Sequence, residues 1–201
     1  DFTREEIEEK LAEYAELIAS REEEDEFIDE PDEESEVLEI EDNEEASEGE
    51  ESEEETSEDS DEVVEVEEEE EPSLENFFDG KDLSGLDLSE LHFHGISLRG
   101  TNLTNTNLSD CNLVESNLDQ ANLDQANLSN ANLENISCLE GLMTHANMES
   151  TNLQGAKLLG TDFSESNLER ANFRKSKSME TKLVKCNLNE TDFSNSDFSR
   201  A

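Results

Sequence analysis

The sequence predicts an all-β chain of short extended segments and turns, preceded by a short helix and an acidic segment with no fold of its own. Three observations predict it. From Leu83 to Phe198 a central large residue recurs every five residues without an insertion or deletion. The first twenty residues carry one apolar stripe at helical spacing. Between these regions lies a run of Glu, Asp and Ser that contains almost no large side chains.

The helix comes first, over 1–21. Thr3 followed three residues later by Glu6 is a capping-box pattern, with Phe2 and Ile7 placed as a hydrophobic staple. Ile7, Leu11, Tyr14, Ala15 and Ile18 then fall on one face. A helix this short is marginal alone. Its stripe, above all Ile7, Leu11, Tyr14 and Ile18, is therefore a candidate docking element for another protein's groove.

The acidic linker occupies 22–75. Residues 1–81 hold 41 acids and 4 bases, net −37, whereas residues 82–201 hold 17 acids and 9 bases, net −8. Such a run cannot bury enough apolar surface to offset chain entropy, and its charges repel, so disorder is expected. Two aliphatic islands interrupt it, EVLEIE at 36–41 and DEVVEVEEEE at 61–70. Both read V-[LV]-E-[IV] flanked by carboxylates and resemble SUMO-interacting motifs, which add a strand to a sheet edge.

The third element, 76–201, is set by the five-residue period. Five residues turn an α-helix by about 500°, so successive leucines would diverge by about 140°. A strand alternates with period two, so an odd step flips the facing each time. The backbone must bend once per unit. With the central residue at i, 23 of 24 positions are apolar, Ser178 being the exception. Position i−2 is mostly small, i−1 is Asn or Asp from Asn102 through Asn132, and i+1 and i+2 are variable and polar. Residues i−2 and i go inward together, and the Asn, Asp, Ser and Gly around them suit a turn. Gly80, Gly100 and Gly160 add a faint period of twenty. Two stretches depart from the rule: ENISCLEGLM suggests a local bulge at Ile136, Cys138 and Gly141, and Ser178 is a buried hydroxyl that needs a partner.

This pattern, A-[DN]-[LF]-x-x, resembles the pentapeptide repeat family over residues 81–201. The resemblance implies a right-handed quadrilateral parallel β-helix, four repeats per coil and about six coils. Solenoid ends need caps. Phe77 and Phe78 are the candidates at the N-terminal end, while bulky Leu86, Leu91 and Ile96 at i−2 alter packing in the first coils. Phe163, Phe173, Phe193 and Phe198 gather in the last two coils, where the resemblance implies end-to-end homodimers.

No catalytic constellation stands out, so the chain is read as not an enzyme, with no cofactor and no metal. Cys111, Cys138 and Cys186 fall at inward positions as small hydrophobes. His92 and His94 flank inward Phe93 as solvated imidazoles, and there is no HExxH, GxSxG or phosphate-cradling loop. No run of 18 apolar residues and no signal peptide is visible, and three cysteines without CxxC favour an intracellular, cytoplasmic setting.

Charge supplies the remaining candidates. Asp87, Glu90, Asp110, Glu149, Glu169 and Glu190 sort to one side of the coil, with Arg170 opposing. Arg170, Arg174, Lys175, Lys177, Lys182 and Lys185 make a candidate basic patch, over which the acidic segment is expected to fold and compete with anionic partners. The expected function is a non-catalytic scaffold that binds protein partners. The alternative is an acidic DNA mimic, as the resemblance implies for proteins that protect DNA gyrase, acting on a type II topoisomerase. A chain of net charge −45 is not expected to bind nucleic acid directly as a whole.

Overall fold

The computed structural model describes residues 2–25 and 74–201. The linker's expected disorder and both aliphatic islands lie outside these residues. Helix α1 spans Arg4–Asp25, extending past residue 21. The capping box forms in both directions: the Thr3 amide donates to the Glu6 carboxylate at 2.7 Å, and the Glu6 amide donates to the Thr3 hydroxyl at 3.3 Å. A single 3₁₀ turn, Leu74–Asn76, leads into the repeats.

From Asp82 to Asp197 each five-residue unit contributes one bridging residue and one turn. Every bridge is parallel and joins residue n to n+20, as in Asn107 to Asn127 and Asn127 to Asn147. Four units therefore close one coil, and the 24 units make six coils. One unit shows how. The Leu128 amide donates to the Asn147 carbonyl in the next coil at 2.7 Å, and the Asn127 amide donates to Thr106 in the previous one at 2.9 Å. The Ala131 amide turns back to the Leu128 carbonyl at 3.0 Å, closing a β-turn whose third residue, Asn130, has φ +58°. Left-handed geometry there is the mark of a type II turn. All 24 turns share it, with Gly at Gly85, Gly95, Gly100, Gly155 and Gly160 and ordinary residues at the other 19. In the first five coils their amides also bond into the next coil, as Asn130 does to Glu149 at 2.9 Å, which supports the conformation.

Asn or Asp at i−1 has a double use. Its side-chain oxygen accepts the amide of i+1, as Asn102 does from Thr104 at 3.2 Å, which pins the turn. Where the residue is Asn, its side-chain amide then donates to the equivalent oxygen one coil earlier. On one side this makes an unbroken ladder from Asn187 through Asn167, Asn147, Asn127 and Asn107 to Asp87. Inward threonines at i−2 bond back to the previous coil, Thr106 donating to the Leu83 carbonyl at 2.9 Å and Thr151 to Leu128 at 2.8 Å, whereas the buried Ser116 hydroxyl has no partner among the described residues.

The core is the column of i residues, fully buried from Leu83 through Ser178. Ser178 finds its partner in the Ser176 hydroxyl at 2.8 Å. The expected bulge at Ile136–Gly141 does not form, and the bridge-and-turn pattern runs through it unbroken. Gly141 is the reason: a Cβ there would lie 2.3 Å from Cys138 Sγ, so glycine leaves the thiol its place inside.

The N-terminal end is covered by α1. Ile7 and Leu11 are buried in the same apolar cluster as Phe78, Leu83 and Phe93. Phe2 reaches Phe77 and Phe78, with ring centroids at 5.9 and 6.4 Å. Arg4 donates to the carbonyls of Asp87 and Ser89, both at 3.0 Å, and so fastens the helix start to coil one. The helix read as a free docking element for another protein's groove is thus the cap of its own solenoid. Its stripe was real, but the nearest unfilled apolar surface lies on its own chain.

Candidate interaction surfaces

Of the four docking residues, Ile7 and Leu11 face coil one, while Tyr14 and Ile18 line a groove of about 470 Å³ with Leu91, His92 and His94. The two histidines are exposed at its margin. Among the described residues, no cluster of three or more His, Cys, Asp or Glu side chains is placed to hold a metal.

The acidic side is not a continuous ridge. Arg170 binds Glu149 at 3.0 Å, Glu169 at 3.1 Å and Glu190 at 3.1 Å. Asp87 faces Arg4 at 3.8 Å, and its carboxyl is held below the usual range chiefly by Ser89. Glu90 and Asp110 stand on the same corner in coils one and two, and that corner continues as Asn130 and Ser150. The carboxylates therefore form two separated groups, one of them gathered on a guanidinium.

The six candidate bases do not form one patch either. A five-residue step is a quarter of a coil, so sixteen residues of sequence run most of the way round the rod. Arg170 belongs to the acidic corner, and Arg174 faces Asp192 at 3.9 Å. Lys182 pairs with Asp162 at 3.1 Å and Lys185 with Glu165 at 2.9 Å. Among the described residues, Lys175 and Lys177 have no ion pair, and neither does Lys157, the bridge partner of Lys177.

A polar stack that the sequence did not single out lies beside Lys185. His145 Nδ1 sits 2.8 Å from Asp124 and its Nε2 3.5 Å from Glu165. The Thr144 hydroxyl, then Gln125 and His145, bond the Asp124 carboxylate and hold it down at about 2. The Asp124 hydrogen bond in turn raises His145 above its ordinary value. The n+20 register was the available signal, because it brings these residues of successive coils onto one corner.

The cysteines are all free. Burial pushes the Cys138 thiol up to about 12 and the Cys111 thiol to about 11, so both are inert at neutral pH.

Coil six is different. Leu183, Phe193 and Phe198 are half-buried and Leu188 is exposed, around a groove of about 370 Å³. Phe173, Phe193 and Phe198 pack ring on ring beneath it, with centroids 4.9 to 5.7 Å apart. Among the described residues no helix is long and apolar enough to cross a membrane.

A family model for pentapeptide repeats matches in eight copies, over residues 77–105, 101–137, 143–177 and 180–201. A pentapeptide repeat protein from the Arabidopsis thaliana thylakoid lumen is 31% identical, covering 48% of this chain and 67% of its own, with a TM-score of 0.47. QnrB1, a plasmid-mediated fluoroquinolone resistance protein, is 17% identical, covering 63% and 84%, with a TM-score of 0.34. HetL from Nostoc sp. strain PCC 7120, involved in heterocyst differentiation regulation, is 24% identical, covering 58% and 70%, with a TM-score of 0.26. Among curated proteins none matches the chain.

Proposed function

Because the chain belongs to the pentapeptide repeat family, we propose that it is a non-catalytic protein-interaction scaffold, wound in the right-handed sense the family resemblance implies, that binds through its last coil. The observation that carries this reading is the apolar surface of coil six. Leu188 is 38% exposed, whereas Leu88, Leu108, Leu128 and Leu168 on the same side are all fully buried. Exposed apolar side chains grouped on one surface invite another chain to cover them. A second copy is the partner we assign, since a two-fold contact brings one self-complementary patch onto itself. Free Cys111, Cys138 and Cys186 fit a reducing, intracellular, cytoplasmic setting. Light scattering of the full chain tests the reading. A dimer that Phe198→Glu converts to a monomer is expected, and a monomer in both cases removes it.

The DNA-mimic alternative draws its support from Glu90 and Asp110, since Arg170 and Arg4 engage the other ridge carboxylates. A supercoiling assay with a type II topoisomerase separates the two readings. No effect of the protein on turnover removes the mimic.

A further inference from the structure

One corner of the solenoid carries an apolar stripe that the scaffold reading leaves unused. Leu139, Leu159 and Met179 stack there at twenty-residue spacing, joined by the Glu140 amide to the Leu159 carbonyl at 2.9 Å and the Gly160 amide to Met179 at 3.0 Å. Leu159 is 40% and Met179 39% exposed. A hollow of about 260 Å³ runs up from Leu159 past Leu139 to Arg99. Beside the stripe, Lys157 and Lys177 are bridge partners, both exposed and without an ion pair among the described residues.

The same corner is where the chain enters the solenoid, at residues 79 and 80. The Asp79 carboxylate accepts from the Ser97 hydroxyl at 2.5 Å and the Arg99 amide at 3.0 Å, and the Gly80 amide donates to the Arg99 carbonyl at 2.8 Å. Residue 79 therefore heads the column that continues through Arg99, Asp119, Leu139, Leu159 and Met179. Leu159 lies four coils below it and Met179 five, about 19 and 24 Å at sheet spacing. The linker residues next to the solenoid are DEVVEVEEEEEP, ending at Pro72. Val66 lies eight positions before Leu74, a span of about 26 to 29 Å when extended. That span, with residues 74–78 still to follow before the column begins, is long enough to cover the drop.

We propose that residues 61–66 of this chain dock on this corner, with Val64 and Val66 against Leu159 and Met179 and the flanking carboxylates against Lys157 and Lys177. Glu67 to Glu71 then pass Arg99, an exposed guanidinium with no ion pair among the described residues. Of the corner's own carboxylates, Glu180 is paired with Arg200 at 2.9 Å, and Asp119 accepts a neutral hydroxyl, that of Ser137, at 2.7 Å. Glu140, Asp119 and Asp197, the bridge partner of Lys177, are the repulsive carboxylates that remain. A strand of alternating valine and glutamate supplies both halves of the match: aliphatic branches for the stripe and anions for the lysines. Tethering supplies high effective concentration. The proposal does not depend on the last-coil reading, which other residues test.

Methionine-methyl NMR of the full chain decides it. Met143 and Met148 are fully buried and Met179 is exposed, so the three methyls report core and corner separately. Replacing Val63, Val64 and Val66 together by Ser lies outside the solenoid. It should shift the Met179 resonance while Met143 and Met148 stay in place. Added salt should shift Met179 in the same direction, because screening weakens the lysine contacts. An unmoved Met179 overturns the proposal. So does a shift produced only by Val37, Leu38 and Ile40 to Ser, which puts the first island there, or one that depends on protein concentration, which puts a second copy there.

Discussion

Leu88 and Leu188 hold the same position in the first and last coils, yet one is fully buried and the other 38% exposed. Four coils of identical bonding lie between them. What differs is the neighbour: above Leu88 lie Phe78 and the α1 face of Ile7 and Leu11, while coil six has no covering among the described residues. Each coil of a solenoid touches only its neighbours, so the repeat rule fixes the middle and leaves each end to be settled separately.

Centre and end should differ most in their response to a buried charge. Leu128→Asp places an unpaired charge among fully buried side chains and should cost several kcal/mol. Leu188→Asp, the same change on the same side in coil six, should cost no more than about 1 kcal/mol. Thermal melts of the two variants that coincide would mean the ends are no looser than the centre.

Ile7→Ala tests the cap next. Ile7 is fully buried, and truncation should cost about 2 to 4 kcal/mol if the helix and first coil melt together. Loss of helical circular dichroism without any change in the β transition would show that α1 rides on the solenoid without securing it.

A smaller effect sits on the asparagine ladder. Asn147 donates to Asn127 at 3.0 Å and accepts from Asn167 at 3.2 Å, so Asn147→Ala should cost on the order of 1 to 2 kcal/mol. Asn187→Ala, at the ladder's open end, should cost less. Equal costs would mean the rungs act singly and not as a chain.

The smallest effect is electrostatic. His145 is raised by its hydrogen bond to Asp124, so the pair stabilises the fold below the unfolded histidine value, about 6.5, and the gain fades as pH rises through the higher folded value. Asp124 is lowered to about 2, so its contribution is present above about 3.9 and is lost as pH falls toward 2. Histidine ring NMR should show His145 titrating above the ordinary range and Asp124→Asn returning it there. An unchanged midpoint would remove the coupling.

Much of the fold was legible because a period of five has few backbone solutions, and the small residue at i−2 beside the large one at i announced an interior. The asparagines were legible as turn residues but not as rungs, since a single turn does not reveal what lies twenty residues away. The helix stripe announced a partner without naming it: Ile7 and Leu11 meet Phe78, 67 residues after Leu11 in sequence. The basic patch misled because closeness along the chain is not closeness on a coil. Arg170 and Lys185 are fifteen residues apart in sequence, three quarters of a circumference. Gly141 was read as a bulge because nothing in the sequence shows that a thiol would stand where its Cβ belongs.

The twenty-residue coil also sets a ruler for mechanical work. Pulled from its C-terminal end, a stack of this kind sheds one coil at a time, because the bonds that hold a coil all run to its one remaining neighbour. Each coil pays out 20 residues, about 66 to 72 Å of chain when extended, less the roughly 5 Å it occupied along the axis. An optical-trap trace should therefore show evenly spaced rips, with the coil under α1 the last to yield.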